Sequence, residues 1–124
     1  MSGRRTGEGN EQTLEFIRAC IQAGRFFFTE HALTRHPFAE DFSPEDALDA
    51  IMNGELIENY AEEYRCLVSG PSPGITLHRE YVSDYIHCVV QYDRVDRIVI
   101  ITMYRPKTSE WTNHFTRRRN RPRE

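Results

Sequence analysis

The sequence has no apolar run approaching the ~20 residues that a membrane-spanning helix needs, and no apolar stretch follows Arg4 and Arg5 near its start. Neither a membrane span nor a secretory leader is expected, and a cytoplasmic location is the default. Cysteine is scarce. Cys20, Cys66 and Cys88 are odd in number, widely spaced and form no Cys-x-x-Cys. That argues against a disulfide framework and for buried, reduced thiols. Among the 5 histidines and 3 cysteines no pair has zinc-ligand spacing, so no metal is expected, and no motif asks for another cofactor. A phosphate-cradling glycine loop and a Gly-x-Ser-x-Gly elbow are also missing. Tryptophan occurs once, as Trp111, and is expected to close a core before it stacks on a base.

What is present is an ordinary globular balance: 124 residues, 39% hydrophobic and 28% charged, enough for one domain around a single core. The net charge of −3 is unevenly spread. Residues 117–124 hold five arginines against one glutamate, so the remainder is more acidic than the total suggests. An acidic body is a poor match for a protein that grips nucleic acid by charge alone. The expected organisation is a disordered segment 1–10, one domain over 11–116, and a basic, disordered tail 117–124. A phosphate-binding arm is the other reading of that tail.

Helical and strand periods separate cleanly along the chain. Asn10 or Thr13 can cap a first helix, Leu14, Ile17 and Ile21 recur on one face, and Gly24 stops it. Phe26, Phe27 and Phe28 form a short extended apolar run, and a turn of helix at His31 ends before Pro37. Ser43-Pro44-Glu45-Asp46 is a helix start, with a serine cap, proline at the first position and two carboxylates in the first turn. Asn53-Gly54 closes that helix. From there the period becomes two. Strands are predicted at Leu56–Tyr60, Tyr64–Val68, Ile75–Val82, Ile86–Tyr92 and Arg97–Arg105, the last apolar on both sides and so inside a sheet. Short turns favour an antiparallel meander. The expected fold is α+β: two to three N-terminal helices packed on one face of a four- to five-stranded, mainly antiparallel sheet.

The most suggestive polar pair is His31 and Arg35, which a helical spacing of four sets on one face. Thr76, His78 and Glu80 are expected on one side of the third strand, and Thr102 and Tyr104 on one side of the fifth. If the helices cover one sheet face, the other can gather His78, Thr102 and Tyr104, with the His31 turn at its edge. Such a set suits metal-free RNA cleavage. Histidine titrates near neutrality and serves as acid or base. Arginine presents a planar fork to phosphate and steadies its growing charge. The roles expected are His31 or His78 as acid/base, Arg35 as phosphate clamp and Tyr104 as proton donor or positioning group. Arg105 and Lys107 are candidate RNA contacts. Each residue also has a plainer reading: Arg35 can pair with Glu30, Glu40 or Asp41, and Tyr104 can be a core tyrosine. His36, His87 and His114 lack a motif and receive no role.

Thr29-Glu30-His31-Ala32-x-x-Arg35, the Ser43-Pro44-Glu45-Asp46 helix running into Asn53-Gly54-Glu55-Leu56-Ile57-Glu58-Asn59-Tyr60, Arg65-Cys66-Leu67-Val68-Ser69-Gly70, Leu77-His78 and Ile100-Ile101-Thr102-Met103-Tyr104-Arg105-Pro106 follow one another in order. This series resembles a bacterial domain-of-unknown-function family, number 4258, over about Phe28 to Trp111. The family has no established activity. Its layout is similar to that of small toxin ribonucleases of the RelE and BrnT kind, and by that analogy the shared polar positions fall on His31, Arg35, His78, Thr102 and Tyr104. Arg79 to His87 reads as a longer hairpin than the family leads one to expect, which leaves the register of His78 against Tyr104 open. The resemblance implies a metal-independent endoribonuclease, with RNA and an antitoxin-like protein as partners. The alternative is a non-catalytic protein-binding module, or a structural domain in which His31 and Arg35 lock the helical layer to the sheet.

Overall fold

The computed structural model describes residues 9–34, 42–72, 76–77, 80–81, 83–107, 110–112 and 117–118. Helix α1 (Asn10–Gln22) starts from Gly9, not from Asn10 or Thr13, and turns Thr13, Ile17 and Cys20 inward. Ala23 caps its end, and Gly24 follows with φ +76°, the left-handed geometry that glycine adopts without strain. Strand β1 (Phe26–Phe28) leads into the short helix α2 (Glu30–Thr34). Helix α3 (Pro44–Asn53) starts from the Ser43 cap expected of its sequence, and Asp46 completes a capping box. Ser43 Oγ accepts from the Asp46 N–H at 3.2 Å, and the Asp46 carboxylate accepts from the Ser43 N–H at 3.0 Å.

Strands β2 (Glu55–Tyr60), β3 (Arg65–Pro71), β6 (Tyr85–Gln91) and β7 (Ile98–Tyr104) pair antiparallel in succession, and β1 adds in parallel beyond β7. The five-stranded order is β1-β7-β6-β3-β2. Apolar on both faces, β7 does lie inside the sheet. The third expected strand is corrected. Within 75–82 the described residues form β4 (Thr76–Leu77) and β5 (Glu80–Tyr81), which pair with each other in a separate two-stranded sheet. Thr76 and Glu80 therefore sit on opposite arms of a small hairpin. A second small pair joins β8 (Trp111–Thr112) to β9 (Arg117–Arg118).

Alternation sorts the sheet into two faces. Cys66, Val68, Ile86, Cys88, Val90, Ile98, Ile100 and Met103 meet Ile17 and Cys20 of α1 and Ala47, Ala50 and Ile51 of α3 in one core. Gly70 makes the close approach of α3 possible, because a Cβ there would overlap the Ala50 backbone. On the same side the Tyr92 hydroxyl donates to Asn59 at 2.6 Å, and Asn59 donates to Asn10 at 2.8 Å, so a polar thread joins the sheet to the start of α1. Helices α1 and α3 thus cover one face, and on the other Leu67, Ser69 and His87 are buried as well.

Candidate functional site on the face away from the helices

Register sets that second face out in rows. Ser69 lies opposite His87, and His87 opposite Tyr104, so one row crosses β3, β6 and β7. Leu67, Val89 and Thr102 form the next. A bulge between Val89 and Val90 shifts the β6–β7 register and brings Tyr104 level with His87.

The first row is a linked polar group. His87 Nδ1 and the Tyr104 hydroxyl are 3.2 Å apart, and their rings meet edge-on with centroids 5.3 Å apart. Trp111 stands perpendicular to the imidazole at 4.4 Å. His87 is fully buried at 0% exposure, while Tyr104 is half-buried. A neutral imidazole has one donating and one accepting nitrogen; with the phenol donating, Nδ1 is the acceptor. Ser69, 3% exposed, completes the row, and among the described residues its Oγ finds no hydrogen-bond partner. An unmatched buried hydroxyl costs roughly 1–3 kcal/mol, a cost that calls for an ordered water or a function.

The sequence candidates divide. Thr102 and Tyr104 share this face as expected, on one strand and two residues apart. His31 is exposed on α2. Thr29 ties that helix to β7: its hydroxyl accepts from the Ala32 N–H at 3.0 Å and donates to the Ile101 carbonyl at 3.0 Å. Arg35 and His78 lie outside the described residues. Arg105 is drawn inward, at 7% exposure. Its Nη1 donates to the carbonyls of Ser72, Ser83 and Tyr85 at 2.8, 2.7 and 3.2 Å, and its guanidinium lies over the Phe42 ring. Lys107 is exposed. Trp111 is buried as expected, but against His87 and not in the helix-side core. Among the described residues no group of three or more His, Cys, Asp or Glu is placed to hold a metal.

Sequence reasoning missed His87 for want of a motif. A signal was there: counting outward from the Asp93–Asp96 turn pairs His87 with Thr102, and Tyr104 has the same parity.

A family model, the domain of unknown function DUF4258, matches residues 28–105. The chain belongs to this family. The DUF4258 match spans Ser69, His87, Thr102 and Tyr104 and ends before Trp111. No curated protein and no solved structure matches the chain. No helix among the described residues of this DUF4258 protein is long and apolar enough to cross a membrane.

Proposed function

We propose that this DUF4258 protein cleaves RNA without a metal, by acid–base chemistry on the sheet face opposite the helices. The observation that carries the reading is the hydrogen-bond contact between half-buried Tyr104 and buried His87, with the phenol taken as donor. A phenol alone is a weak base near neutral pH. One that can hand its own proton to an imidazole is a competent relay. In the proposed reaction the 2′-oxygen attacks phosphorus and gives its proton to Tyr104 Oη, as the phenolic proton moves to His87 Nδ1. The P–O5′ bond breaks, leaving a 2′,3′-cyclic phosphate. His31 is the proposed donor to the departing 5′-oxygen, Arg35 the proposed phosphate clamp, and Thr102 a positioning group beside Tyr104. His87 takes the part first given to His78. Lys107 remains a candidate phosphate contact, whereas Arg105, held by three carbonyls, is left out of the scheme. An antitoxin-like partner belongs to the same reading by analogy of layout alone.

The test is cleavage of mixed RNA by purified protein in excess chelator, with end-group analysis. Wild-type protein is expected to yield 2′,3′-cyclic ends. Tyr104→Phe keeps the ring and removes the relay, and should slow cleavage by about 10²-fold or more, in the range of a lost general acid or base. His31→Gln should slow cleavage while leaving RNA affinity unchanged, as loss of a group that acts only on the leaving oxygen does. RNA left intact by wild-type protein, or Tyr104→Phe cleaving at the wild-type rate, overturns the proposal.

A further inference from the structure

Two cross-strand rows away from His87, the same face holds a feature that the acid–base scheme does not use. Tyr60, Arg65, Gln91, Val99 and Phe27 stand opposite one another in turn across β2, β3, β6, β7 and β1. The two ends are exposed aromatics: Phe27 is 57% and Tyr60 43% accessible. Phe26 and Phe28 pack against the helix-side core, so the pleat turns Phe27 the other way. Arg65 is exposed and Gln91 half-buried between the two rings. The Tyr60 hydroxyl donates to the Glu58 carboxylate. At ~4.8 Å per strand the row is about 19 Å long.

A single exposed aromatic needs no explanation. Two at opposite ends of one row, with a cation and an amide between them, form a pattern. Flat rings held on a sheet take unstacked bases, Arg65 offers donors to phosphate, and Gln91 offers both a donor and an acceptor to a base edge. A duplex hides its base faces and cannot use the rings. We infer that this row is a platform for single-stranded RNA, with a base on Phe27, a base on Tyr60 and the intervening backbone over Arg65. The inference rests on the RNA reading above, but binding and cleavage are measured separately.

The probe is a short fluorescent oligoribonucleotide, 2′-O-methylated to block cleavage, titrated as a single strand and as its duplex. The single strand is expected to bind at least about tenfold more tightly than the duplex. Phe27→Ala and Tyr60→Ala should each weaken it by about tenfold, and Phe27→Tyr should restore it. Arg65→Gln should lower the slope of log affinity against log salt by about one. Val95→Ala, in the β6–β7 turn and 94% exposed, is the control. Binding with these losses but no cleavage of ordinary RNA keeps the platform and removes the nuclease. Cleavage that ignores Phe27 and Tyr60 does the reverse. No single-strand binding, equal binding of the duplex, or aromatic variants that change only the protein's mass in solution overturn the platform.

Discussion

Cys66 and Cys88 sit in the helix-side core at 0% exposure, and burial acts on their chemistry directly. Burial pushes the Cys66 thiol from its ordinary 9.0 up to about 12, and Cys88 is raised for the same cause, with Cys66 adding to it. Cys20 is also raised, by burial first, with Arg25 opposing. The sign for stability follows from proton counts. Between pH 9.0 and about 12 the unfolded Cys66 thiol has lost its proton and the folded one has kept it, so stability falls as pH rises through that window. Each such thiol contributes about 1.4 kcal/mol per pH unit. Cys66→Ala should therefore flatten the alkaline limb of unfolding free energy by about that slope, whatever its constant packing cost. Urea titrations at stepped pH measure it, and an unchanged slope means that the thiol ionises freely in the fold. These cysteines were legible because their odd number and wide spacing argue against a disulfide framework and for buried thiols. His87 was not, because its meaning comes from Tyr104 seventeen residues on and from the bulge that aligns them.

Elements that carry their own instructions were the most readable. The capping box of α3 is local: Ser43 and Asp46 are three residues apart and satisfy each other's backbone donors. Ser43→Ala removes one half of that exchange at the start of the helix that carries Ala47, Ala50 and Ile51 into the core. It should cost about 1 kcal/mol, against a few tenths for Ser43→Gly. Chemical denaturation with an unchanged m-value is the measurement; equal stability of Ser43→Ala and wild type would mean that another group caps the helix. Elements defined by distant partners were less readable. The triple phenylalanine reads as extended, yet nothing local says that β1 pairs in parallel with β7 at the sheet edge. Residues 75–82 have strand period throughout, but β4 and β5 fold back on each other, because a period of two cannot distinguish a ladder in the main sheet from a hairpin beside it. The far end of β3 was also missed. Gly70-Pro71-Ser72-Pro73-Gly74 reads as a loop, but Ser69, Gly70 and Pro71 continue the strand, and α3 comes close enough there to exclude any side chain at Gly70.

At the scale of the molecule the two faces differ in how they are held. Two helices close one of them. On the other, beyond the sheet's own side chains, Trp111 is the large group against His87. The junction between sheet and loops depends on Arg105, just past β7, whose guanidinium gathers carbonyls from Ser72 after β3 and from Ser83 and Tyr85 at the start of β6. A planar donor fork in a buried cleft suits this work better than a point charge. Arg105→Met leaves three carbonyls without that donor and should cost about 2–3 kcal/mol, with Arg105→Lys losing less. Hydrogen exchange should quicken first around Tyr85 and Ser72, where strands β6 and β3 lose their shared anchor. The same variant decides between structure and substrate for this arginine. If it supports the fold, Arg105→Met held well below its melting temperature binds single-stranded RNA as wild type does, while unfolding at lower denaturant. If RNA affinity falls and stability does not, the guanidinium works on phosphate and the clamp is incidental.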